Sequence, residues 1–420
     1  MATVDALDVY AAGRCVGRLF DEQPLRFRYD PAWLTWSEAR PIAPSLGLGQ
    51  QDHVGDHVLA YFENLLPEGH IRRFLSVSRH ASTAFGLLRS VGGDTASGLT
   101  IVPQGEKPAP PGYRPTTWVD IAQQLQHAVI PALAAENAEG TRISLAGAQD
   151  KLLLMVLPDG VPAIPQGTAP SSHILKPDIR GLDGVWSSAL NEAMVMKLAS
   201  ALGLQAAEVE YQPDTRACLV RRYDRRADGA GGLARLHQLD LCQLAGTPSA
   251  VKYESDGGPT LAQCREILRR MGVKAQDMQR FVRWVFFNLF VGNNDSHAKN
   301  LSVMQDTGDA WRMTPFYDLM CTAIYPGLSR RFAFRIGGEA LPGKIGVEQL
   351  QGLSQDLGFS DRYVLRAGRE LAEQLPAALG QVAAELRNQT RPGTEHTLLE
   401  RLEQWIRSNT RKHVARWELR

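Results

Sequence analysis

The stretch Gly292–Val303, GNNDSHAKNLSV, follows directly on the apolar run Phe281–Gly292, FVRWVFFNLFVG. Within Asn293–Asn300 it packs three asparagines, an aspartate, a serine, a histidine and a lysine. Upstream, Met278, Phe281, Val282, Val285, Phe286, Leu289 and Phe290 recur three and four residues apart. That spacing predicts a helix over 277–291 with a buried face. Gly292 stands where a left-handed residue closes such a helix. The polar cluster is therefore planted at the end of a rigid, buried post, and the question is whether it is a hydrated turn or a site.

Asp295 and Asn300 form D-x-x-x-x-N. This is the spacing of the protein-kinase catalytic loop, where the aspartate accepts the proton of the acceptor hydroxyl and the asparagine holds Mg²⁺. Alone, the pattern is more often that of an Asx-rich turn. Asp318 lies in MTPFYDLM, eighteen residues beyond Asn300. Between them LSVMQDTGDAWRMTPF reads as a hairpin turning at Thr307-Gly308-Asp309. A strand-end aspartate in an apolar setting is costly unless it is paired or binds a metal; the plain alternative is a helix N-cap. Lys176, on the strand-like HILKPDI, precedes Glu192, at the opening of a helical stretch, by sixteen residues. The two fit the strand-lysine and helix-glutamate ion pair that orients ATP phosphates, although such residues are most often solvated. SLAGAQDKLLL, Ser144–Leu154, is small and polar before an apolar strand. It could offer backbone N–H groups to a phosphate, but it is neither a Walker A loop nor a G-x-G-x-x-G. The order is what gives these pieces weight: flexible loop, strand lysine, helix glutamate, D-x-x-x-x-N, second aspartate.

The rest of the chain frames them. Its 420 residues suggest two or three domains or one large two-lobed unit. With 44% apolar and 22% charged residues the composition is that of a globular protein. A net charge of +1 gives no overall field towards nucleic acid or membrane. Five scattered cysteines, without a CxxC pair, support neither a disulfide framework nor a zinc site. No signal peptide and no membrane-spanning run are apparent, and a reducing cytoplasm is expected. Residues 1–102 read as mixed α and β. PQGEKPAPPGYRP, 103–115, with five prolines, reads as a stiff linker. Residues 116–249 read as a small nucleotide-cradling lobe, and helices dominate 250–420.

At this point YFENLLPEG, SLAGAQDK, RRYDRR, HQLDLCQ, VKYESDGGP, DSHAKN and TPFYD, in that order, resemble the motifs of the HipA family of serine/threonine-protein kinase toxins from bacterial HipBA toxin–antitoxin modules. The resemblance runs almost end to end. It implies an α+β, two-lobed, protein-kinase-like fold: a mixed α/β N-terminal lobe with an add-on subdomain, and an all-α C-terminal lobe. It implies Asp295 as catalytic base, and Asn300 and Asp318 as Mg²⁺ ligands. Lys176 would contact the phosphates of ATP, with Glu192 as its ion-pair partner by kinase logic. Ala146, Gly147, Ala148, Gln149, Asp150 and Lys151 would form the phosphate-side loop. Arg221, Arg222 and Tyr223 would form the hinge beside adenine, while His297, Ala298, Lys299, Asn300 and Tyr317 would line the site. Ser144 matches the family's autophosphorylation serine. Roughly two negative charges placed there would repel ATP phosphates and favour a swung-out loop. Two departures stand out: Arg221, where an acidic residue is usual, and PIAPSLGL, 41–48.

The same resemblance implies phosphorylation of an aminoacyl-tRNA synthetase, glutamyl-tRNA synthetase first, with arrest of translation and growth. It also implies a HipB-like helix-turn-helix antitoxin as partner, with DNA met through that complex. The tail NTRKHVARW, 409–417, would either touch such DNA or be a solvated basic helix end. An antitoxin-binding pseudokinase and a small-molecule kinase are the alternative classes.

Overall fold

The computed structural model describes residues 5–95, 97–127, 149–229, 232–305 and 310–418. It divides into two compact units, Met1–Leu175 with Asp224–Ala250, and Lys176–Tyr223 with Val251–Arg420.

The first unit opens with a five-stranded antiparallel sheet in the order β4-β3-β2-β1-β5. Its strands are β1 (Ala6–Ala11), β2 (Arg14–Phe20), β3 (Arg26–Tyr29), β4 (His53–Val54) and β5 (Leu99–Pro103). Leu7, Val9, Val16, Leu19, Phe27 and Tyr29 are buried. Tyr61 and Phe62, from the helix α1 (Asp56–Glu63), pack into the same core. Each such side chain removed from water contributes about 1.5–3 kcal/mol. The Pro-Glu-Gly break falls between α1 and α2 (Gly69–Ser78), as the sequence predicts.

A second set of strands, β6 (Gly112–Pro115), β7 (Leu152–Val156), β8 (Pro162–Gln166) and β9 (His173–Lys176), pairs antiparallel in the order β6-β8-β7-β9. The C-terminal four residues of the proline-rich stretch thus form an edge strand. The helix α3 (Trp118–His127) begins behind Thr117, whose hydroxyl accepts from the Asp120 N–H at 3.0 Å. A buried ion cluster ties the unit together. Asp94 receives Arg225 at 2.9 Å, Arg235 at 3.0 Å and the Ser171 hydroxyl at 3.1 Å.

The second unit is built round two buried helices. Helix α4 (Ser188–Ala201) is buried on nearly every face. Helix α6 (Ala275–Val291) follows α5 (Leu261–Arg270) and buries Phe281, Trp284, Phe286, Phe287 and Phe290. Between α4 and Tyr223, in chain order, comes the antiparallel hairpin of Val209–Gln212 and Ala217–Arg221. A second hairpin, Ser302–Gln305 with Trp311–Met313, follows the polar cluster; its anticipated turn at 307–309 lies outside the described residues. Asp277 accepts the Met313 N–H at 3.1 Å, and Arg280 donates to the Thr314 carbonyl at 3.1 Å, which fastens this hairpin to α6.

Three helices close the chain: α7 (Val347–Leu357), α8 (Asp361–Gln389) and α9 (Thr394–Glu418). The basic tail is more than a solvated helix end. His413 and Trp417 are buried, their rings packing on Phe290. Asn409 donates to the carbonyls of Leu289 and Phe290, both at 2.9 Å, satisfying acceptors that the end of α6 leaves open.

Candidate active site

Gly292 ends α6 as the pattern requires. Its φ is +69°, and the next N–H, that of Asn293, returns to the Asn288 carbonyl at 2.9 Å. The cluster beyond it is tightly braced. The Asn293 amide donates to the Asn288 side chain at 2.8 Å, and its own oxygen accepts the Asp295 N–H at 3.3 Å. Asn294 is anchored through its N–H to Thr322 and through its amide to the Ser329 carbonyl, both at 2.9 Å. Ser296 donates to the Asn293 carbonyl at 3.1 Å. Ala298–Asn300 then form a single 3-10 turn. Asp295 is exposed, whereas His297, Ala298, Lys299 and Asn300 are buried. The turn thus presents the aspartate and packs its other residues inward. Burial, reinforced by the charge of Lys252, holds the His297 imidazole well below its usual pKa, so it is neutral. Asn293, Asn294 and Ser296, which the sequence offers only as turn formers, are the bolts of this loop.

Lys176, Glu192 and Asp318 come together. The Lys176 ammonium donates to Glu192 Oε1 at 2.6 Å and also to Asp318 Oδ1. The Lys176 and Glu192 side chains are buried, while that of Asp318 is 44% exposed. Burial alone would lower the lysine pKa; the Asp318 and Glu192 carboxylates outweigh it and push it up. The apolar setting expected for Asp318 is therefore not what holds it. It sits at a left-handed backbone position, φ +59°, beyond the hairpin, and its charge is met by Lys176 and by solvent. Helix α4 fixes both ends of this arrangement. Glu192 reaches the lysine, and the neighbouring Asn191 grips the segment after Asp318, accepting the Cys321 N–H at 2.9 Å and donating to its carbonyl at 3.0 Å.

Tyr317 connects the remaining parts. Its hydroxyl donates to the Lys299 carbonyl at 2.9 Å and lies 2.6 Å from the Ser302 hydroxyl. Its ring stacks on Tyr223 with centroids 5.9 Å apart. Arg222 is buried, whereas Arg221 points outwards to Glu208 at 2.9 Å, an exposed pair. The unusual charge at position 221 is thereby spent at the surface. Gln149, Asp150 and Lys151 belong to the first unit, and Asp150 is buried. Ser144, Ala146, Gly147 and Ala148 lie outside the described residues. Tyr253 is a site residue that no spacing in the sequence marks. Its hydroxyl donates to Asp295 Oδ1 although the two are 42 positions apart, and the only trace in the sequence is the motif VKYESDGGP.

Among the described residues no cluster of three His, Cys, Asp or Glu forms a self-sufficient metal cage. The oxygen donors Asn300 and Asp318 instead suit a hard cation such as Mg²⁺, which takes one or two protein ligands and completes its shell with phosphate oxygens and water. A buried lysine–glutamate pair, a braced loop presenting one aspartate, and a second aspartate beyond a hairpin define a protein-kinase-like site.

Comparison with known proteins agrees. The HipA-like C-terminal domain matches residues 143–379, and the HipA N-terminal domain matches residues 7–102. The Y4mE protein of Sinorhizobium fredii is 36% identical over 394 residues, covering 90% of this chain and 92% of its own. The serine/threonine-protein kinase toxin HipA of Shewanella oneidensis is 29% identical over 361 residues, 81% of each chain. The solved structure of the Shewanella oneidensis HipA, in complex with HipB and its operator DNA, superposes with a TM-score of 0.80 at 25% identity, covering 97% of both chains. The chain belongs to the HipA family, and its α+β, kinase-like fold is that of HipA. No helix among the described residues is long and apolar enough to cross a membrane.

Proposed function

We propose that this chain is an ATP- and Mg²⁺-dependent serine/threonine-protein kinase acting as the toxin of a HipBA-like module. The observation that carries the reading is the convergence of Lys176, Glu192 and Asp318 from positions 16 and 142 residues apart. Asp295 orients the acceptor hydroxyl and takes its proton. Lys176, held by Glu192, offers fixed positive charge to the ATP phosphates. Asn300 and Asp318 would hold Mg²⁺, which when bound offsets charge on the β- and γ-phosphates. Arg221 to Tyr223 would form the hinge beside adenine, with the Tyr223–Tyr317 stack as its wall, and Gln149 to Lys151 would belong to the phosphate-side loop. Most of the acceleration comes from positioning and electrostatics.

The division into an N-terminal subdomain (1–102), linker (103–115), nucleotide-binding lobe (116–249) and helical lobe (250–420) is part of the same proposal. So are a HipB-like antitoxin partner, an aminoacyl-tRNA synthetase substrate with glutamyl-tRNA synthetase the first candidate, a cytoplasmic site of action, and autophosphorylation of Ser144 as an off-switch. The test compares phosphate incorporation from γ-labelled ATP by the wild type and Asp295→Asn. The variant should bind ATP and lose transfer by several orders of magnitude; equal incorporation would reject the assignment. Phosphoproteomics after controlled expression identifies the target: a dominant phosphosite on a synthetase supports the substrate proposal, and its absence counts against it.

A further inference from the structure

Tyr253 is the third residue of the loop VKYESDGGP, and its hydroxyl donates to the exposed carboxylate of Asp295. Its ring meets the edge of His297 at 5.1 Å, and the Lys252 ammonium lies 5.5 Å from the ring centroid. The backbone that carries it is closely tied. The Tyr253 carbonyl accepts from the N–H groups of Asp256 at 3.0 Å and Gly258 at 2.8 Å. A side chain at Gly258 would place its Cβ 2.3 Å from the Val251 carbonyl oxygen and 2.7 Å from that of Tyr253, so only glycine fits the crossing. Next along the chain, Glu254 accepts the Arg335 N–H at 2.7 Å. A loop bound at this many points holds its phenol in place; nothing in its construction suits it to swing.

We propose that Tyr253 is a positioning residue for phosphoryl transfer: by donating to Oδ1 of Asp295 it fixes the orientation of the carboxylate towards the acceptor hydroxyl. The inference rests on the kinase reading of Asp295. An exposed carboxylate can occupy several rotamers, and catalysis needs one of them. A phenol suits the task because its O–H is an uncharged, directional donor that leaves the carboxylate its charge. In the transfer step the acceptor oxygen forms a bond to the γ-phosphorus while the bond from that phosphorus to the β–γ bridging oxygen breaks. ADP leaves with the electron pair, the acceptor proton passes to the Asp295 carboxylate, and Tyr253 keeps its own proton throughout.

The experiment uses the full chain as wild type, Tyr253→Phe and Asp295→Asn. It follows phosphate from γ-labelled ATP into the chain and into dephosphorylated casein over a range of ATP concentrations, with fluorescent mant-ATP binding and thermal melting alongside. For Tyr253→Phe, kcat should fall about tenfold, the effect of one hydrogen bond to a charged group. Its KM for ATP, mant-ATP affinity and Tm should stay at wild-type values. An unchanged kcat, with Asp295→Asn inactive, overturns the positioning role and leaves the kinase reading standing. A raised kcat overturns it too, marking the contact as a block on the base. A fall in kcat accompanied by weakened ATP binding or a lowered Tm makes Tyr253 merely structural. No transfer by the wild type removes the kinase reading, and this assignment with it.

Discussion

Glu192 holds the Lys176 ammonium at 2.6 Å from within a helix that is buried on nearly every face. The pair is costly to desolvate, and its stability depends on both partners being present. Because the ionised Asp318 and Glu192 carboxylates raise the folded-state pKa of Lys176, its contribution is complete from neutrality up to about pH 10, the unfolded lysine value, and is lost in stronger alkali. The site lysine is therefore charged throughout the neutral range. Glu192→Gln keeps the shape and removes the charge. We expect kcat/KM for ATP to fall on the order of 10- to 100-fold, the equivalent of one charge-assisted hydrogen bond. Steady-state kinetics against Glu192→Asp, which keeps the charge on a shorter arm, checks whether charge or reach matters more.

Gly292 faces Trp405 so closely that an added Cβ would stand 2.3 Å from the ring, at a backbone position with φ +69°. Gly292→Ala should cost about 1–2 kcal/mol for the left-handed backbone. The clash with Trp405 and Ala323 adds about 1–3 kcal/mol more. Urea denaturation reads the loss. Because the Asp295 loop hangs from this residue, kcat should fall further than the residual folded fraction explains.

Asp94 is the shared acceptor of Arg225 and Arg235 inside the first unit. Removing one partner of a buried pair leaves the other short of its charge, and Arg225 would retain Asp224 and the Ser171 carbonyl while Arg235 would retain the Thr168 carbonyl. Asp94→Ala should destabilise the protein by about 3 kcal/mol, measured by the shift in urea midpoint. An effect below about 0.5 kcal/mol, the size of an ordinary surface substitution, would contradict the buried-network account.

His413 lies among Phe290 and Trp417, and burial, with the nearby Arg416 charge second, pushes its pKa down to about 4. Its folded value lies below its unfolded one, so the unfolded chain binds the proton first. Stability is therefore full above about pH 6.5 and erodes as pH falls towards 4, by at most about 1.4 kcal/mol per pH unit. His237, also lowered by burial, adds to the same slope. Replacing His413 by Phe should flatten the difference between urea midpoints at pH 7 and pH 5; an unaltered slope would reject the assignment.

Much of this molecule is legible in local sequence. The three-and-four spacing of Met278, Phe281, Val282, Val285 and Leu289 and the closing Gly292 mark the post. The D-x-x-x-x-N spacing marks the loop, and alternation with Gly and Asp turns marks the hairpins on either side of Pro158-Asp159-Gly160 and between Ser302 and Met313. Periodicity carries these because helix and strand place side chains at fixed repeats. Asp318 shows where it stops. The sequence suggests a strand-end residue in an apolar setting, whereas the fold gives a half-exposed carboxylate in the left-handed region, held by a lysine 142 positions away. Likewise the charges of the C-terminal tail read as a solvated end, although Asn409, His413 and Trp417 sit against α6.

The sequence by itself determined the helix ends, the turn chemistry and the order of the candidate residues along the chain, because each depends on neighbours within a few positions. Only the tertiary structure decided that Lys176 would be shared by Glu192 and Asp318, and that Tyr253 would reach Asp295. Those contacts are set by how buried helices pack and where the backbone turns, and no local period records a partner 42 or 142 residues away.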